Sequence, residues 1–386
     1  MQFQLFRSVN SAICVSLLFI SLTLPAKAAN RTIEHQGVRN DGFEAGGAVY
    51  VLTNQADSNT VIVFDRSPEG KLTRTQEVST GGQGTGSGLG SQGALTASAD
   101  GHLLFAVNAG SNSISVLGVT EDGLRLLSKV DSGGAVPISV TVHGDLVYVL
   151  NSGGSSPNIT GFFLTPFGRL FPLSNSTRTL AGGANASPAE VSFTPDGELL
   201  VVTEKGTSLI DVFTIGFDGR PVKQTAQKSN NTEPFGFNFQ GFRVLVVSEA
   251  ATGAAGATTV STYRMDDDNS TPLTTISASV PDTQTAACWI VVTRDRQFAF
   301  ATNTGSGTIS SYNLSPAGEL TLRQAVAGDL GANSGPIDMA LSRHGDTLLV
   351  LSPGSAAVTS FQIRSGNLSR SDSESIPASS SGIAAH

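Results

Sequence analysis

The sequence predicts an all-β protein, and three observations carry this prediction. The chain has 386 residues, of which 14% are charged and 43 are glycine, a composition that argues against a helical bundle or coiled coil. Short runs rich in valine, isoleucine, threonine and aromatic residues alternate with turns that contain glycine, as half-buried strands do. One unit of four such strands recurs along the chain, which is typical of a repeat fold.

The first 28 residues have the pattern of a secretory signal peptide. Arg7 supplies the positive charge, residues 13–24 the apolar run, and Ala26-Lys27-Ala28 the small residues of a cleavage site. The alternative is an uncleaved membrane anchor, but the apolar run is shorter than the roughly 20 residues that span a bilayer. We therefore expect residues 1–28 to be removed. Residues 29–386 are expected to form one secreted or periplasmic domain without a membrane span.

The second strand of the repeated unit is the easiest to recognise. It reads Tyr50-Val-Leu-Thr-Asn54 in the first unit and Leu349-Val-Leu-Ser352 in the seventh. In the first six units it ends in a polar residue, and these residues lie 43 to 54 positions apart: Asn54, Asn108, Asn151, Glu204, Glu249 and Asn303. A third strand follows each time, and turns such as Glu121-Asp-Gly123 join it to a fourth. Glycine supplies the positive φ that such turns need.

Seven four-stranded units of about 50 residues predict a seven-bladed β-propeller with antiparallel blades. The alternatives are an open solenoid or two packed sandwiches. The first unit lacks an innermost strand, whereas the C-terminal stretch 381–386 resembles residues 92–98, the innermost strand of the second unit. We therefore expect the C-terminal strand to complete the first blade, which closes the ring and hides the sheet edges.

Two stretches resemble a known family. Residues 193–204, Phe-Thr-Pro-Asp-Gly-Glu-Leu-Leu-Val-Val-Thr-Glu, and residues 342–351, Ser-Arg-His-Gly-Asp-Thr-Leu-Leu-Val-Leu, are similar to blades of the lactonase-type seven-bladed propellers. The C-terminal strand that ends in Ala-His is also similar. This family includes the propeller 6-phosphogluconolactonases and the carboxymuconate cyclases. The resemblance implies the propeller fold and an activity on small cyclic esters.

The chain departs from this family at the residues that carry its chemistry. The resemblance implies a histidine at the start of the fourth blade and arginines in the fifth and seventh, but Glu190 follows Ser-Pro-Ala, and Phe235 and Ile337 replace the arginines. Glu249 alone matches. A lactonase site needs a general base and a cationic group for the substrate's acid. Phosphogluconolactonase activity is therefore disfavoured.

Antiparallel pairing places the start of each first strand and the end of each second strand at one rim, so two rings of side chains are expected to face one opening. We predict Glu249 and Glu204 as catalytic bases toward water or an α-proton. The remaining members are predicted to bind the ligand: Gln92, Asn108, Asn151, Glu190, Phe235, Trp289, Asn303 and Asp338.

Each group in these rings has a structural alternative. For the asparagines it is turn formation, because asparagine side chains bond to nearby backbone. For Trp289 it is core packing instead of a stacking platform, and for the acids it is a solvated surface. The glycine-rich segment 81–90 does not fit a phosphate loop, and we expect it to connect the first two blades at the same rim, as a lid.

Three functions remain open at this point. The first is hydrolysis or isomerisation of a small cyclic ester, and the second is noncatalytic binding of a small molecule or a protein partner. The third is a Ca²⁺-dependent lactone hydrolase, because carboxylate and amide oxygens suit Ca²⁺; no other metal or cofactor is expected. A net charge of −8 without a basic cluster argues against nucleic acid. A monomer is expected.

Overall fold

The computed structural model describes residues 46–265 and 273–386, so the predicted signal segment 1–28 lies outside the described residues. The described part of the chain is an all-β, seven-bladed propeller, as predicted. The strands of the first three blades follow one another in the chain: β1 (Gly47–Leu52), β2 (Thr60–Arg66), β3 (Leu72–Ser79), β4 (Leu95–Ala97), β5 (Leu103–Asn108), β6 (Ser113–Thr120), β7 (Gly123–Asp131), β8 (Pro137–His143), β9 (Leu146–Asn151), β10 (Asn158–Leu164), β11 (Leu170–Pro172) and β12 (Arg178–Thr179).

The fourth to seventh blades contain four strands each, and one further strand ends the chain. These strands are β13 (Pro188–Phe193), β14 (Leu199–Glu204), β15 (Leu209–Ile215), β16 (Pro221–Lys228), β17 (Pro234–Gln240), β18 (Val244–Glu249), β19 (Thr259–Met265), β20 (Leu273–Pro281), β21 (Ala287–Val292), β22 (Phe298–Asn303), β23 (Thr308–Leu314), β24 (Leu320–Asp329), β25 (Met339–Leu341), β26 (Thr347–Ser352), β27 (Ala357–Arg364), β28 (Asn367–Ser375) and β29 (Gly382–Ala385).

The helices among the described residues are short 3-10 turns between strands. They are Ala109–Ser111, Gly183–Asn185, Ala251–Gly253 and Pro353–Ser355. None of the helices in the described ranges has the length and apolar character that a membrane span requires.

The ring closes through the C-terminal strand, which confirms the prediction. Strand β29 pairs antiparallel with β1, so the order in the first blade is β29-β1-β2-β3. His386 extends this ladder, because its N–H donates to Ala48 O at 2.9 Å and its carbonyl accepts from Ala48 N at 3.1 Å. The inner edge of β1 is therefore covered by backbone hydrogen bonds.

Burial follows the position of a strand within its blade. The second strands, such as β5 and β14, are almost entirely buried because neighbouring blades cover both of their faces. The outermost strands, such as β3, alternate between exposed and half-buried residues. Polar side chains also join the blades: the Tyr148 hydroxyl, fully buried in the third blade, donates to Gly219 O in the fourth at 2.7 Å.

Several innermost strands begin with a β-bulge. The pairing register shifts between Pro188 and Glu190 in the fourth blade and between Ala287 and Trp289 in the sixth. The residues just before these strands, Ser187 and Ala286, have φ of 43° and 57°, in the left-handed region. Bulges redirect side chains next to the extra residue. In these strands the bulge therefore decides which residue faces the axis.

Candidate functional site

A cavity of about 380 Å³ lies on the propeller axis. All seven innermost strands contribute to its wall, so it is the central channel of the ring. Three of the predicted ligand-binding residues line it: Gln92, Glu190 and Asp338. The other predicted site residues do not, so the two rings of side chains do not face one opening.

Glu190 points into the channel from just beyond the bulge of β13. Its side chain is 6% exposed, and Oε2 accepts a hydrogen bond from the Phe237 N–H at 2.7 Å. Burial raises the pKa of Glu190 well above its usual value, and the charge of Asp338 raises it further, although the bond from Phe237 opposes both effects. The surroundings of Glu190 therefore favour its protonated form.

Asp338 is the second acid of the channel, contributed by the segment that leads into β25. Oδ1 accepts from Met339 N at 2.9 Å, whereas Oδ2 is buried and makes no hydrogen bond of normal geometry with the described residues, although the backbone N–H groups of Ile383 and Gly93 lie near the carboxyl. Burial raises the pKa of Asp338 to about 7, against the lowering effect of the backbone of Met339, Ile383 and Gly93. Asp338 is therefore a buried acid of the channel wall whose pKa lies close to neutral pH.

Gln92 crosses the channel. Its Nε2 donates to Ile290 O at 3.1 Å and its Oε1 accepts from Ile290 N at 3.2 Å, so the side chain pairs with the inner strand of the sixth blade. Its backbone N–H donates to Ala189 O in the fourth blade at 3.1 Å. Because Gln92 enters from the second blade, these bonds close the end of the channel where the inner strands begin.

The glycine-rich segment 81–90 and Ser91, which precede Gln92, cover the same end of the channel. This segment connects the first two blades, as predicted, and it is anchored to other blades on the far side. Lys205 Nζ donates to Gly90 O at 2.5 Å, Trp289 Nε1 donates to Ser91 O at 2.8 Å, and Ser91 Oγ donates to Ile138 O at 2.7 Å. Bonds to three blades make this segment a fixed cover, in contrast to the mobile lid expected from its glycines.

Phe235 and Trp289 pack against each other below this cover. Their ring centroids are 4.7 Å apart, and the two residues are 6% and 3% exposed. Lys205 Nζ lies 4.5 Å from the Phe235 centroid, and burial lowers the pKa of this lysine. Trp289 thus forms a packed support for Ser91 and leaves no face for stacking. Neighbouring Cys288 is buried, which raises the pKa of its thiol to about 12.

Glu249 lies between the fourth and fifth blades, away from the channel. It is fully buried, and both of its oxygens accept hydrogen bonds. Oε1 accepts from Ser229 Oγ at 2.6 Å and Asn231 N at 2.9 Å, and Oε2 accepts from Thr259 Oγ1 at 2.5 Å and Ser261 Oγ at 2.9 Å. These contacts tie the linker between the blades to strand β19. No face of Glu249 is left for substrate.

Glu204 occupies the equivalent position between the third and fourth blades. It is fully buried, accepts from Gly182 N at 2.9 Å, and is also bonded by the Thr207 hydroxyl. Asp211 lies beside it, and burial together with the Glu204 carboxyl raises the pKa of Asp211. The protonated form of Asp211 is therefore favoured beside the Glu204 carboxyl. The catalytic role of Glu204 and Glu249 stays a prediction.

The predicted asparagines occupy the same junctions. Asn108 accepts from Thr80 Oγ1 at 2.6 Å, in the linker that follows the first blade. Asn151 donates to Ser132 O at 3.2 Å, and Asn303 donates to Ser310 Oγ at 2.8 Å. All three are fully buried. Their hydrogen bonds lead to linkers and neighbouring strands, so they connect parts of the propeller and do not face the channel.

Sequence reasoning did not select the polar side chains further along the channel. Ser192 and Asn238 line the cavity; their signal is a polar residue inside an otherwise apolar inner strand. Within the described ranges, no three His, Cys, Asp or Glu residues are grouped as a metal site.

Comparison with known proteins identifies the family. The chain matches the family model described as "Lactonase, 7-bladed beta-propeller" over residues 21–175 and 255–382. A search of curated proteins gave no significant match. Among solved structures, a candidate 6-phosphogluconolactonase of Bacteroides fragilis is similar, with a TM-score of 0.70 and 19% identity, over 89% of this chain and 98% of that one.

The periplasmic gluconolactonase of Pseudomonas aeruginosa is also similar, with a TM-score of 0.67 and 17% identity, over 88% of this chain and 98% of that one. At these identities the two structures show a similarity of fold alone. The family match, by contrast, covers more than half of the sequence. The chain therefore belongs to the lactonase family of seven-bladed β-propellers.

Proposed function

We propose that this protein hydrolyses a small cyclic ester inside the central channel, with Asp338 and Glu190 as an acid–base pair. The supporting observation is that both acids line one channel cavity and that burial raises the pKa of both. Two acids whose environments separate their protonation states can divide the roles of base and acid. Family membership supports the ester as substrate class.

The steps follow from the protonation states. In this mechanism Asp338, whose pKa is about 7, is the base, and it takes a proton from a water molecule that attacks the ester carbonyl carbon. The ring C–O bond then breaks, and protonated Glu190 gives its proton to the leaving oxygen. The product is a hydroxy acid. The proton on Asp338 passes to Glu190 through exchange with water, which restores the starting state.

The test compares two pairs of variants in a panel of small lactones. Glu190→Gln and Asp338→Asn are expected to lower kcat/KM by about 10²-fold or more, because each removes a proton-transfer group. Glu204→Gln and Glu249→Gln keep the channel intact and should retain activity wherever they remain folded. Loss of activity in a folded Glu249→Gln protein, with full activity in Glu190→Gln, would contradict the assignment and favour the sequence-based one.

Binding without catalysis is the second candidate. It is favoured by Phe235 and Ile337, apolar residues where the resemblance implies arginines. If no lactone is turned over, a rise in Tm with the same panel that Asp338→Asn abolishes would support it. Running the panel with and without a chelator tests the Ca²⁺-dependent hydrolase, for which activity must disappear with chelator and return with Ca²⁺.

We also propose that the protein works outside the cytoplasm as a monomer, after cleavage near Ala28. The support for the location is the signal pattern of residues 1–28. The N-terminal sequence and the mass in solution of protein purified from its own host test both points. An N-terminus at Met1 or a dimeric mass would contradict them.

A further inference from the structure

A second cavity, of about 290 Å³, lies between the fifth and sixth blades, on the face that carries the turns between the first and second strands. We call it the inter-blade pocket. The fifth blade contributes Gln240 and Val244 to its wall, and the sixth contributes Asp295, Arg296, Leu314 and Pro316. No residue lines both this pocket and the central channel. Its volume is at the lower end of the range for small-molecule sites, so its occupant must be small.

Gln240 supplies a fixed hydrogen-bond acceptor to the pocket wall. Its side chain is 8% exposed, and Nε2 donates to Arg296 O and to Ser315 O, both at 2.8 Å. Its Oε1 is buried and makes no hydrogen bond with the described residues. Two carbonyls of the sixth blade hold the amide nitrogen, so the side chain cannot turn to find another donor. A buried acceptor of this kind is satisfied by an N–H or O–H group of a ligand.

Arg296 occupies a backbone position where equivalent turns have glycine. Its N–H donates to Thr293 O at 2.8 Å and closes the turn between the first two strands of the sixth blade. The same turn in the second, fourth and seventh blades is closed by Gly101, Gly197 and Gly345, with φ of 75° to 76°. The φ of Arg296 is 62°, in the left-handed region, where a residue with a Cβ is strained. Strain kept at one position of a repeat indicates that the side chain has a function.

The Arg296 side chain reaches back to the fifth blade. A Cβ added at Gly241, the neighbour of Gln240, would lie 3.3 Å from Arg296 Nη1, so the guanidinium lies beside this glycine. Asp295 is the acid of the pocket wall, and its Oδ1 accepts from Thr293 Oγ1 at 2.5 Å and from the next-but-one N–H at 3.1 Å. The residues that line the pocket therefore carry one positive and one negative charge.

The other arginines of these two turns lead to other blades. Arg294 Nε donates to Ser342 O in the seventh blade at 3.3 Å, and Arg243 pairs with Glu198 in the fourth at 2.9 Å. The charges that face the pocket are thus balanced, and they do not form a field of one sign. A ligand that matches them carries both charges itself.

We infer that the inter-blade pocket binds a free α-amino acid with a small apolar side chain. The carboxylate of the ligand pairs with Arg296, and its ammonium group donates to Gln240 Oε1 beside Asp295. The side chain of the ligand lies against Val244, Leu314 and Pro316. This inference goes beyond the proposed function, because the site lies outside the channel and its test measures binding without turnover.

Titration calorimetry of the purified protein tests which ligand groups are needed. The probes are alanine, valine, N-acetylalanine, which lacks the ammonium group, and alanine methyl ester, which lacks the carboxylate. We expect alanine and valine to bind, and each blocked analogue to bind at least ~10-fold more weakly than alanine, because each loses a charged hydrogen bond. Absence of binding by both free amino acids, or equal binding of alanine and a blocked analogue, would overturn the inference.

Variants then place the ligand in the pocket. Arg296→Gly restores the glycine of the equivalent turns, so it should fold with a Tm no lower than wild type and bind alanine at least ~10-fold more weakly. Gln240→Met removes the acceptor and should also weaken binding. Asp295→Asn keeps an oxygen for the bonds within the turn and removes the charge, so it provides a second folded variant with weaker binding.

Two controls complete the test. Arg294→Gln changes an arginine of the same turn that leads to the seventh blade, and Asp338→Asn changes the central channel. Both should bind alanine as wild type does. Unchanged affinity in Arg296→Gly, an equal loss in Arg294→Gln, or a loss in Asp338→Asn that moves the site to the channel would overturn the inference.

Discussion

At the scale of the residue, the same side chain type does different work in different surroundings. Glu190 and Glu249 are both buried glutamates. Glu190 lies near the start of an inner strand, and Glu249 lies at the end of a second strand. Glu190 has one backbone bond and faces a cavity, whereas Glu249 has four short bonds that occupy both oxygens. Sequence position alone cannot distinguish them, because the partners come from linkers and neighbouring blades.

Asp338 makes the stability of the protein depend on pH. Its pKa is about 7 in the folded state and about 4 in an unfolded chain, so between these values the folded state holds a proton that the unfolded state has lost. This group therefore lowers the free energy of unfolding as pH rises from 4 to 7. The carboxyl of Glu190 faces it across the channel and acts in the same direction.

Asp338→Asn should remove this penalty. Thermal unfolding as a function of pH is expected to show little difference from wild type near pH 4, and a variant more stable by ~1–3 kcal/mol above pH 7. Asp329→Asn, at an exposed position, is the control and should show no such trend. A difference between Asp338→Asn and wild type that stays constant from pH 4 to 8 would show that the acid is not buried as described.

Glu249 should stabilise the contact between the fourth and fifth blades. Glu249→Gln places an amide group opposite hydroxyl and N–H donors, and the Asn231 N–H or its neighbours lose an acceptor, so we expect a loss of ~2–3 kcal/mol in the free energy of unfolding. Denaturant titration measures it. Exposed Glu319→Gln in a surface turn is the matched control, with an expected change below ~0.5 kcal/mol. Equal effects of the two substitutions would show that Glu249 does not stabilise the contact between the blades.

At the scale of the element, strand β29 closes the ring through backbone pairing with β1. Deleting Gly382–His386 leaves the inner edge of β1 without partners and exposes Ile383's neighbours in the core, so we expect Tm to fall by ~10 °C or more. His386→Ala keeps the backbone ladder and should have a small effect. A tail deletion that unfolds at the wild-type temperature would disprove closure by this strand.

The elements were predictable because their signals are local and repeated. Alternating apolar residues such as those of β2, glycine turns and the likeness between residues 381–386 and 92–98 each report a strand or its partner. The bulges at the start of the inner strands were not predictable, since a bulge depends on pairing with the next strand. One shifted residue decides whether Glu190 or Ala189 faces the axis, so the sequence could nominate Glu190 but could not show that it enters the channel.

At the scale of the whole molecule, the fold could be predicted from the sequence, whereas the closed end of the channel could not. Gln92, Glu190 and Asp338 were among the predicted binding residues, and they do meet in the cavity. The cover was missed because glycine-rich composition suggests freedom of movement. Its anchors, such as Lys205 and Trp289, are more than 100 residues away in the chain and are visible only after the ring has formed.

The crossing side chain of Gln92 has a consequence for how such a ring can evolve. Its side-chain amide reaches from the second blade to the sixth, and its backbone N–H reaches the fourth. The central channel is therefore only as wide as one glutamine side chain at this level. Duplication of a blade would widen the axis beyond that length, and loss of a blade would leave no room for the side chain. The contact made by Gln92 therefore fits a ring of seven blades, and a related propeller with six or eight blades could form only after this contact had been lost.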